Sequence, residues 1–308
     1  MNMPSLRLSR SSVRLSAFCL AAEIIPVVSL IVALYRGWQQ GFSTLELSVC
    51  VAMCALTLLG VEVGFHRHFA HRSFRAHPAV RASLAALGSM AFQGSVVWWV
   101  GVHRTHHKYS DQPLDPHSPA KGLMYAHSGW LFQPASQYPL RWSRRIKDLL
   151  KDPVVRTAHS HYPTYVALGF VMPAAFVGGL THSWDGAVGG FLWGAMIRVG
   201  VVNHLIWSIN SLCHRFGTRP YQTSDRSYNN LWLALPTLGF SLHNNHHAFP
   251  NAAINAHRWW QVDISGYCIL MLEQLGWAWY VHRPSAQQRL NKTVGTAQNL
   301  SQNLSESL

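Results

Sequence analysis

Four stretches of apolar sequence, each close to the thickness of a bilayer, constrain this chain more than any other feature. They cover residues 16–35, 45–64, 164–180 and 187–209. About 20 apolar residues in a helix cross a hydrocarbon core of roughly 30 Å. Lipid offers the backbone no water to bond, so each stretch must satisfy its own N–H and C=O groups as a helix. Short connections pair the stretches into two hairpins. Composition agrees, with 49% hydrophobic and only 12% charged residues, against about 25% charged in an average soluble domain. The expected fold is an all-α integral membrane protein. Four transmembrane helices stand under a helical cap built from residues 65–163 and 210–284.

Orientation follows from charge. Residues 1–15 are basic (Arg7, Arg10 and Arg14), and basic flanks stay on the cytoplasmic side. Paired spans return the chain to its starting side, so the cap and both termini are expected in the cytoplasm. The first stretch lacks a small-residue cleavage site and reads as a retained helix rather than a signal peptide. The membrane domain then covers residues 16–284, and the Gln-, Asn- and Ser-rich tail 285–308 reads as disordered. Ala79–Val100 is also apolar. As a span it would separate histidine clusters that one site needs together, so it reads as a helix buried in the cap or lying at the interface.

The formal net charge of +13 fits positive-inside topology and contact with anionic lipid, or else an acidic partner such as a carrier protein or redox donor. Basic residues scattered among apolar segments argue against nucleic acid. The five cysteines form no CxxC pair, which argues against a disulfide scaffold or an iron–sulfur cluster.

Histidine is concentrated beside these apolar segments. His66 and His71 follow the second. His103, His106 and His107 share the spacing HxxHH with His243, His246 and His247, while Asn210 and His214 follow the fourth segment. On a helix each HxxHH triplet falls on one face, giving two facing tridentate plates. His66 and His71, five residues apart, are expected to project from different sides of a helix and reach different metals. Asn210, one turn before His214, binds either directly or through water. Nine imidazoles exceed the about four ligands of a mononuclear zinc site and fit two metals with a position left open. Imidazole suits Zn, Cu, Fe and Ni; an open dinuclear site beside a lipid-accessible cavity points to iron and oxygen chemistry on an apolar substrate. The other ten histidines, His68 and His117 among them, read as ordinary core or surface residues. Arg198 lies inside the fourth span, where charge is costly and faces protein or a polar cavity. It pairs with Glu23 or Glu62, or else supports the metal ligands. Glu62, four residues before His66, either orients that imidazole or pairs with Arg198.

Four segments carry a resemblance: GFHRHFAHRSF (Gly64–Phe74), HRTHHKYSDQPLDPHSP (His103–Pro119), WSINSLCHRFG (Trp207–Gly217) and HNNHHAFPN (His243–Asn251). In these the chain resembles the integral-membrane fatty acyl desaturases of the stearoyl-CoA type, from about residue 45 to 284. The resemblance implies a di-iron centre under a bent acyl tunnel and O₂-dependent removal of hydrogen from a saturated chain, giving a cis double bond, most often at Δ9. It implies a fatty acyl substrate on CoA, acyl carrier protein or lipid. It also implies a separate electron donor such as a ferredoxin, rubredoxin or cytochrome b5-like protein. Trp207 matches the family tryptophan at the acyl carbonyl. Gln93 and Trp99 match positions at the tunnel bend, and Ile206 stands where the family commonly has Thr. A bacterial inner membrane is the expected location.

Some positions depart from the family. Gly101-Val102 and Pro134-Ala135 replace charged pairs that contact the CoA headgroup, while Arg141, Arg144, Arg145, Lys147 and Lys151 form a basic run suited to acyl carrier protein or phospholipid. Gly239–Leu242, before the last cluster, lacks the acidic residue common in relatives, so a carboxylate orienting an imidazole is expected to be missing there. Two related chemistries remain open, an acetylenase and a hydroxylase. A metal transporter or sensor is disfavoured, because transporter ligands sit near the membrane midplane and these histidines sit at helix ends.

Overall fold

The computed structural model describes residues 10–133 and 145–295, apart from the side chains of residues 10–18 and Ala21. Arg141, Arg144 and the Pro134-Ala135 pair lie outside the described residues. The long helices are α1 (Arg10–Gln40) and α2 (Thr44–Leu59), the latter widening without a break into a π-helical segment, Gly60–Ala70. Then come α3 (Pro78–Met90), α4 (Val96–Tyr109), and the short α5 (Leu123–His127), α6 (Lys147–Lys151) and α7 (Pro153–Ser160). Next is α8 (Tyr162–Thr181), followed by α9 (Trp184–Phe191), which passes through a second π-helical turn, Leu192–Ile197, into α10 (Arg198–Ser211). The cap closes with α11 (His243–Ala248), α12 (Ile264–Gln274) and α13 (Ala286–Lys292). A two-residue antiparallel ribbon, β1 (Arg75–Ala76) on β2 (Ala278–Trp279), pairs Arg75 with Trp279.

Three described helices are long and apolar enough to cross a membrane: Thr44–Ala70, Tyr162–Thr181 and Trp184–His214. α1 is 31 residues long. At the end of the bundle away from the histidines, Arg36 of α1 meets Asp185 at the start of α9 at 2.9 Å and Glu46 of α2 at 3.9 Å. The α1–α2 and α8–α9 connections therefore lie together at that end.

Three expectations change. Ala79–Val100 is two helices, not one. The chain breaks between Met90 and Val96, where Phe92 and Gly94 take φ of 63° and 88°, and the Ser95 hydroxyl accepts the Trp98 N–H to start α4 afresh. At Gly94 a Cβ would come within 2.5 Å of the Trp98 ring. The break turns α4 so that its second half carries His103–His107 inward. The described start of the tail also differs: residues 286–292 form a helix with a complete Ser285/Gln288 capping box, and Thr293 bridges to Tyr221. Local capping outweighs polar composition there.

The π-helical segment lies directly on α3. A Cβ on Gly60 would sit 2.2 Å from the Gly88 nitrogen, so the two backbones touch through paired glycines.

Arg198 pairs with neither Glu23 nor Glu62. Its guanidinium donates to the carbonyls of Met90 (2.5 Å), Gly169 (2.9 Å) and Gly194 (3.3 Å). Met90 ends α3, so one of these is a helix-terminal carbonyl with no partner of its own. A buried cation thus ties together α3, α8 and α10. Charged hydrogen bonds contribute about 1.5–3 kcal/mol each. Arg198→Leu should therefore cost more than about 3 kcal/mol and lower the unfolding midpoint in detergent by many degrees. Near-wild-type thermal unfolding of the variant would show that the carbonyls find other partners.

Candidate metal centre and the adjoining cavity

All nine imidazoles singled out in the sequence converge, in two clusters. His66, His71, His103, His107 and His246 form one, and His106, His214, His243 and His247 the other; within each, the ligand nitrogens lie within 4.8 Å of one another. Asn210 lines the same cavity as His106 and His243.

The division differs from the expected plates. α4 sends His103 and His107 to the first cluster and His106 to the second, whereas α11 sends His243 and His247 to the second and His246 to the first. Helical geometry accounts for this. Residues i and i+4 lie about 40° apart around the axis and i+3 falls about 60° to the other side, so each triplet straddles a seam between two sites. The two helices exchange roles, as a near two-fold arrangement would.

His66 and His71 also differ from expectation, since both reach the first cluster. In an α-helix they would be separated by about 140°. Here the His71 N–H donates to the His66 carbonyl at 3.1 Å, an i→i+5 bond of the π type. The wider turn returns residue i+5 over residue i. His68 faces elsewhere, against Arg81 at 3.1 Å.

Carboxylates hold four of the rings from behind. Glu62 accepts from His66 Nδ1 at 2.6 Å, Asp115 from His106 at 3.0 Å, Asp111 from His214 at 3.1 Å and Asp225 from His247 at 2.7 Å. An Nδ1–H committed to a carboxylate leaves the Nε2 lone pair facing the cluster and makes it more basic. Glu62 is fixed in turn by Arg67, which also forks onto Asp263 at 2.7 and 3.0 Å. All three side chains are buried. Arg104 donates to the Phe69 and Ala70 carbonyls at 2.7 and 2.9 Å and to Asp148, binding the second histidine segment to the first.

Sequence reasoning found Glu62 and missed the three aspartates. Asp111 and Asp115 stand inside the quoted HRTHHKYSDQPLDPHSP segment, four and eight residues after His107, so their signal was in view. Asp225 occupies a loop turn, accepting from Ser227 N and Thr223 Oγ1, and nothing in its spacing marks it. It supplies a carboxylate to the last histidine segment, where one was expected to be lacking. His117, set aside as ordinary, lies with His106 and Asp115 in a third group of possible ligands.

The donor set suits metal ions. Burial, reinforced by neighbouring imidazoles, holds His71 down to about 3 and keeps His103, His107, His243 and His246 well below the usual histidine range. That direction favours the neutral ring, the form that binds a metal. Only His106 is raised, because Asp115 outweighs its burial. The Nε2 atoms of His106 and His247 are buried with no hydrogen-bond partner. Facing Nε2 atoms stand 2.7–3.0 Å apart in the pairs His71–His103, His107–His246, His66–His246 and His214–His243. Adjacent nitrogens bound to one ion at about 2.1 Å would be separated by about 3 Å. Each cluster can hold a metal ion.

A cavity of about 370 Å³ opens onto His103, His106 and His243. Gln93, Trp99, Ile206 and Trp207 all line it, and Cys19 and Ala22 bring α1 into its wall. Its surface is mainly apolar. One polar bar is built into it, where Gln93 Nε2 donates to Asn203 Oδ1 at 2.5 Å.

The sequence model of the family described as "Fatty acid desaturase" matches residues 44–268. A hex-5-enoyl-[acyl-carrier protein] acetylenase of Moorena producens (strain JHB) is 42% identical over 279 residues, covering 86% of this chain and 85% of that one. An acyl-CoA C20 Delta5-desaturase of Anemone leveillei is 39% identical, covering 79% and 76%. The sn-1 stearoyl-lipid 9-desaturase of Anabaena variabilis is 36% identical, covering 80% and 87%. With apolar helices, two histidine clusters and a cavity leading to them, this chain belongs to the membrane-bound fatty acid desaturase family of oxidoreductases, whose substrates are fatty acyl chains.

Proposed function

We propose that the nine imidazoles and Asn210 hold two iron ions, and that the protein uses O₂ and two external electrons to introduce a cis double bond into an acyl chain. The observation that carries this reading is the convergence of nine imidazoles, four of them oriented by carboxylates, at one end of a mainly apolar cavity. Bound iron would supply O₂ activation and the oxidising power to take hydrogen from an unactivated methylene. In balance, one –CH₂–CH₂– unit, O₂, two electrons and two protons become –CH=CH– and two waters.

The chain's own residues do the rest. The apolar wall excludes water and binds the chain by its methylenes, and Trp99, Gln93 and Ile206 shape its course. Trp207 is placed to contact the acyl carbonyl. Position along the chain is a matter of depth. Relatives are named for Δ5, Δ7 and Δ9 positions, so Δ9 is one member of a range. The acyl carrier we assign is acyl carrier protein, on the family CoA positions replaced by Gly101-Val102 and on the carrier in the acetylenase's name. α1 serves as a fourth span, and the cap and both termini face the cytoplasm of a bacterial inner membrane. A separate one-electron carrier of the ferredoxin, rubredoxin or cytochrome b5 class supplies reducing equivalents.

A second reading is an acetylenase, acting on a chain that already has a double bond. It is favoured by the 42% identity to such an enzyme. Incubation with saturated and mono-unsaturated acyl carrier protein, O₂ and a reducing system, followed by mass spectrometry, separates the two. Desaturation removes two hydrogens from the saturated chain; an acetylenase leaves that chain untouched and removes two from the unsaturated one. Gain of oxygen would overturn both.

Metal content gives an independent check. Two irons per chain are expected. Loss of a carboxylate behind a metal-bound histidine weakens metal affinity about 10–100-fold. Asp225→Ala should therefore release one iron to a mild chelator and retain the other, held by the five-histidine cluster. Equal retention of both irons would remove Asp225 from the site.

A further inference from the structure

A second concavity, an open groove of about 590 Å³, lies in the cap and shares no lining residue with the acyl cavity. Its wall includes the turn that carries the first histidine segment: His68, Phe69 and Arg72 all line it. Phe69 lies between His66 and His71 in the chain, and Arg72 is one peptide bond from His71. No substrate group in the first cavity needs this surface, yet it approaches the five-histidine cluster through a single turn of backbone.

The chemistry of the groove is that of a protein interface. Arg72 is two-thirds exposed at its side chain, and Arg75 lies over the Tyr280 ring at 4.9 Å. Tyr280 is 69% exposed and Trp279 41%. Arginine, tyrosine and tryptophan are the residues most enriched in binding hot spots. Two carboxylates line the groove as well. Asp152 is matched by Arg81, and Asp148 by Arg104 at 2.7 Å as well as by Arg72. Arg72, Arg75, Arg81 and Arg104 together outnumber these two carboxylates, so the groove keeps a net positive charge, with Arg72 and Arg104 sharing Asp148. Arg72 and Tyr280, which face this groove, both hold left-handed backbone, at φ of 55° and 51°, a region L-residues rarely adopt.

We infer that this groove is the docking site of an acidic one-electron carrier protein, which reduces the metal centre through the His66–His71 turn. The inference rests on the proposed O₂-dependent reading. Each docking event oxidises the carrier by one electron and reduces the centre by one, so two events supply the pair consumed per double bond. Separate faces for electrons and acyl chain let reduction proceed with substrate in place.

The test uses the full-length, iron-loaded protein in nanodiscs and an acidic [2Fe–2S] ferredoxin as the probe. Arg75→Glu and Trp279→Ala are compared with Lys121→Glu, on the segment beside the acyl cavity. Arg75→Glu should weaken ferredoxin binding roughly tenfold or more, with the steepest salt dependence lost, and raise KM for ferredoxin. Iron content should stay the same, as should product formed when dithionite and a mediator supply the electrons. Lys121→Glu should bind ferredoxin as the parent does. Equal ferredoxin affinity across the variants would overturn the inference. So would a loss confined to acyl carrier protein or to anionic vesicles, since the groove would then serve a carrier or a membrane. Absence of product under chemical reduction in the unmodified protein would instead reject the desaturase reading, leaving the binding result to stand alone.

Discussion

The structure depends on bringing nine imidazoles together at one end of a bundle of apolar helices. Rings with outward-facing lone pairs do not attract one another, and burial removes the water that would separate them. Each must be held from outside. Glu62, Asp111, Asp115 and Asp225 hold four of them directly. Arg67, shared between Glu62 and Asp263, connects that support to the loop that begins α12, where Asp263 also accepts from Gly266 N and Asn255 N. A buried arginine with two carboxylates is costly to desolvate and strongly directional once formed. Its value here is positional, because it fixes the π-helical turn on which His66 and His71 stand.

Much of this was legible in the sequence because its signals are periodic. Apolar stretches of bilayer length mark the long helices, and HxxHH spacing marks α4 and α11, whose histidines converge. The partition of the ligands was not legible. It depends on a 3.6-residue turn dividing His103 and His107 from His106, and on a π-type bond that brings His71 over His66. A wider turn has no compositional mark, since the same residues read equally well as α-helix. Arg198 shows the same limit. Its charge flagged a buried partner, but the partners are carbonyls of three helices, and carbonyls occur at every position. Asp225 was invisible because a loop turn delivers it.

The break at Phe92–Gly94 joins the two functional regions. It ends α3 at Met90, where Arg198 takes the terminal carbonyl, and restarts the chain as α4 with His103–His107 turned inward. It also places Gln93 in the wall of the 370 Å³ cavity against Asn203. A continuous helix over Ala79–Val100 would have satisfied hydropathy equally well and built neither the cavity wall nor the second histidine face. The cavity wall and the position of the second histidine segment are therefore set by one local conformation. Tyr162, at the start of α8, reinforces it by accepting the Gly94 N–H at 3.2 Å.

That shared origin bears on how relatives with 34–42% identity are named for different products. The histidine clusters are over-determined: carboxylates, Arg67 and Arg104 each limit their movement, and a shift of one ring disturbs its neighbours at about 3 Å contact. The cavity wall has looser requirements. Its apolar side chains need to fill space and exclude water, and volume-conserving exchanges in such surroundings cost little. Substitution at Gln93, Asn203 or Ile206 can alter the depth and bend of the cavity while leaving the ligand nitrogens in place. Divergence in product position is thus physically cheap, whereas divergence in the metal-binding arrangement is not.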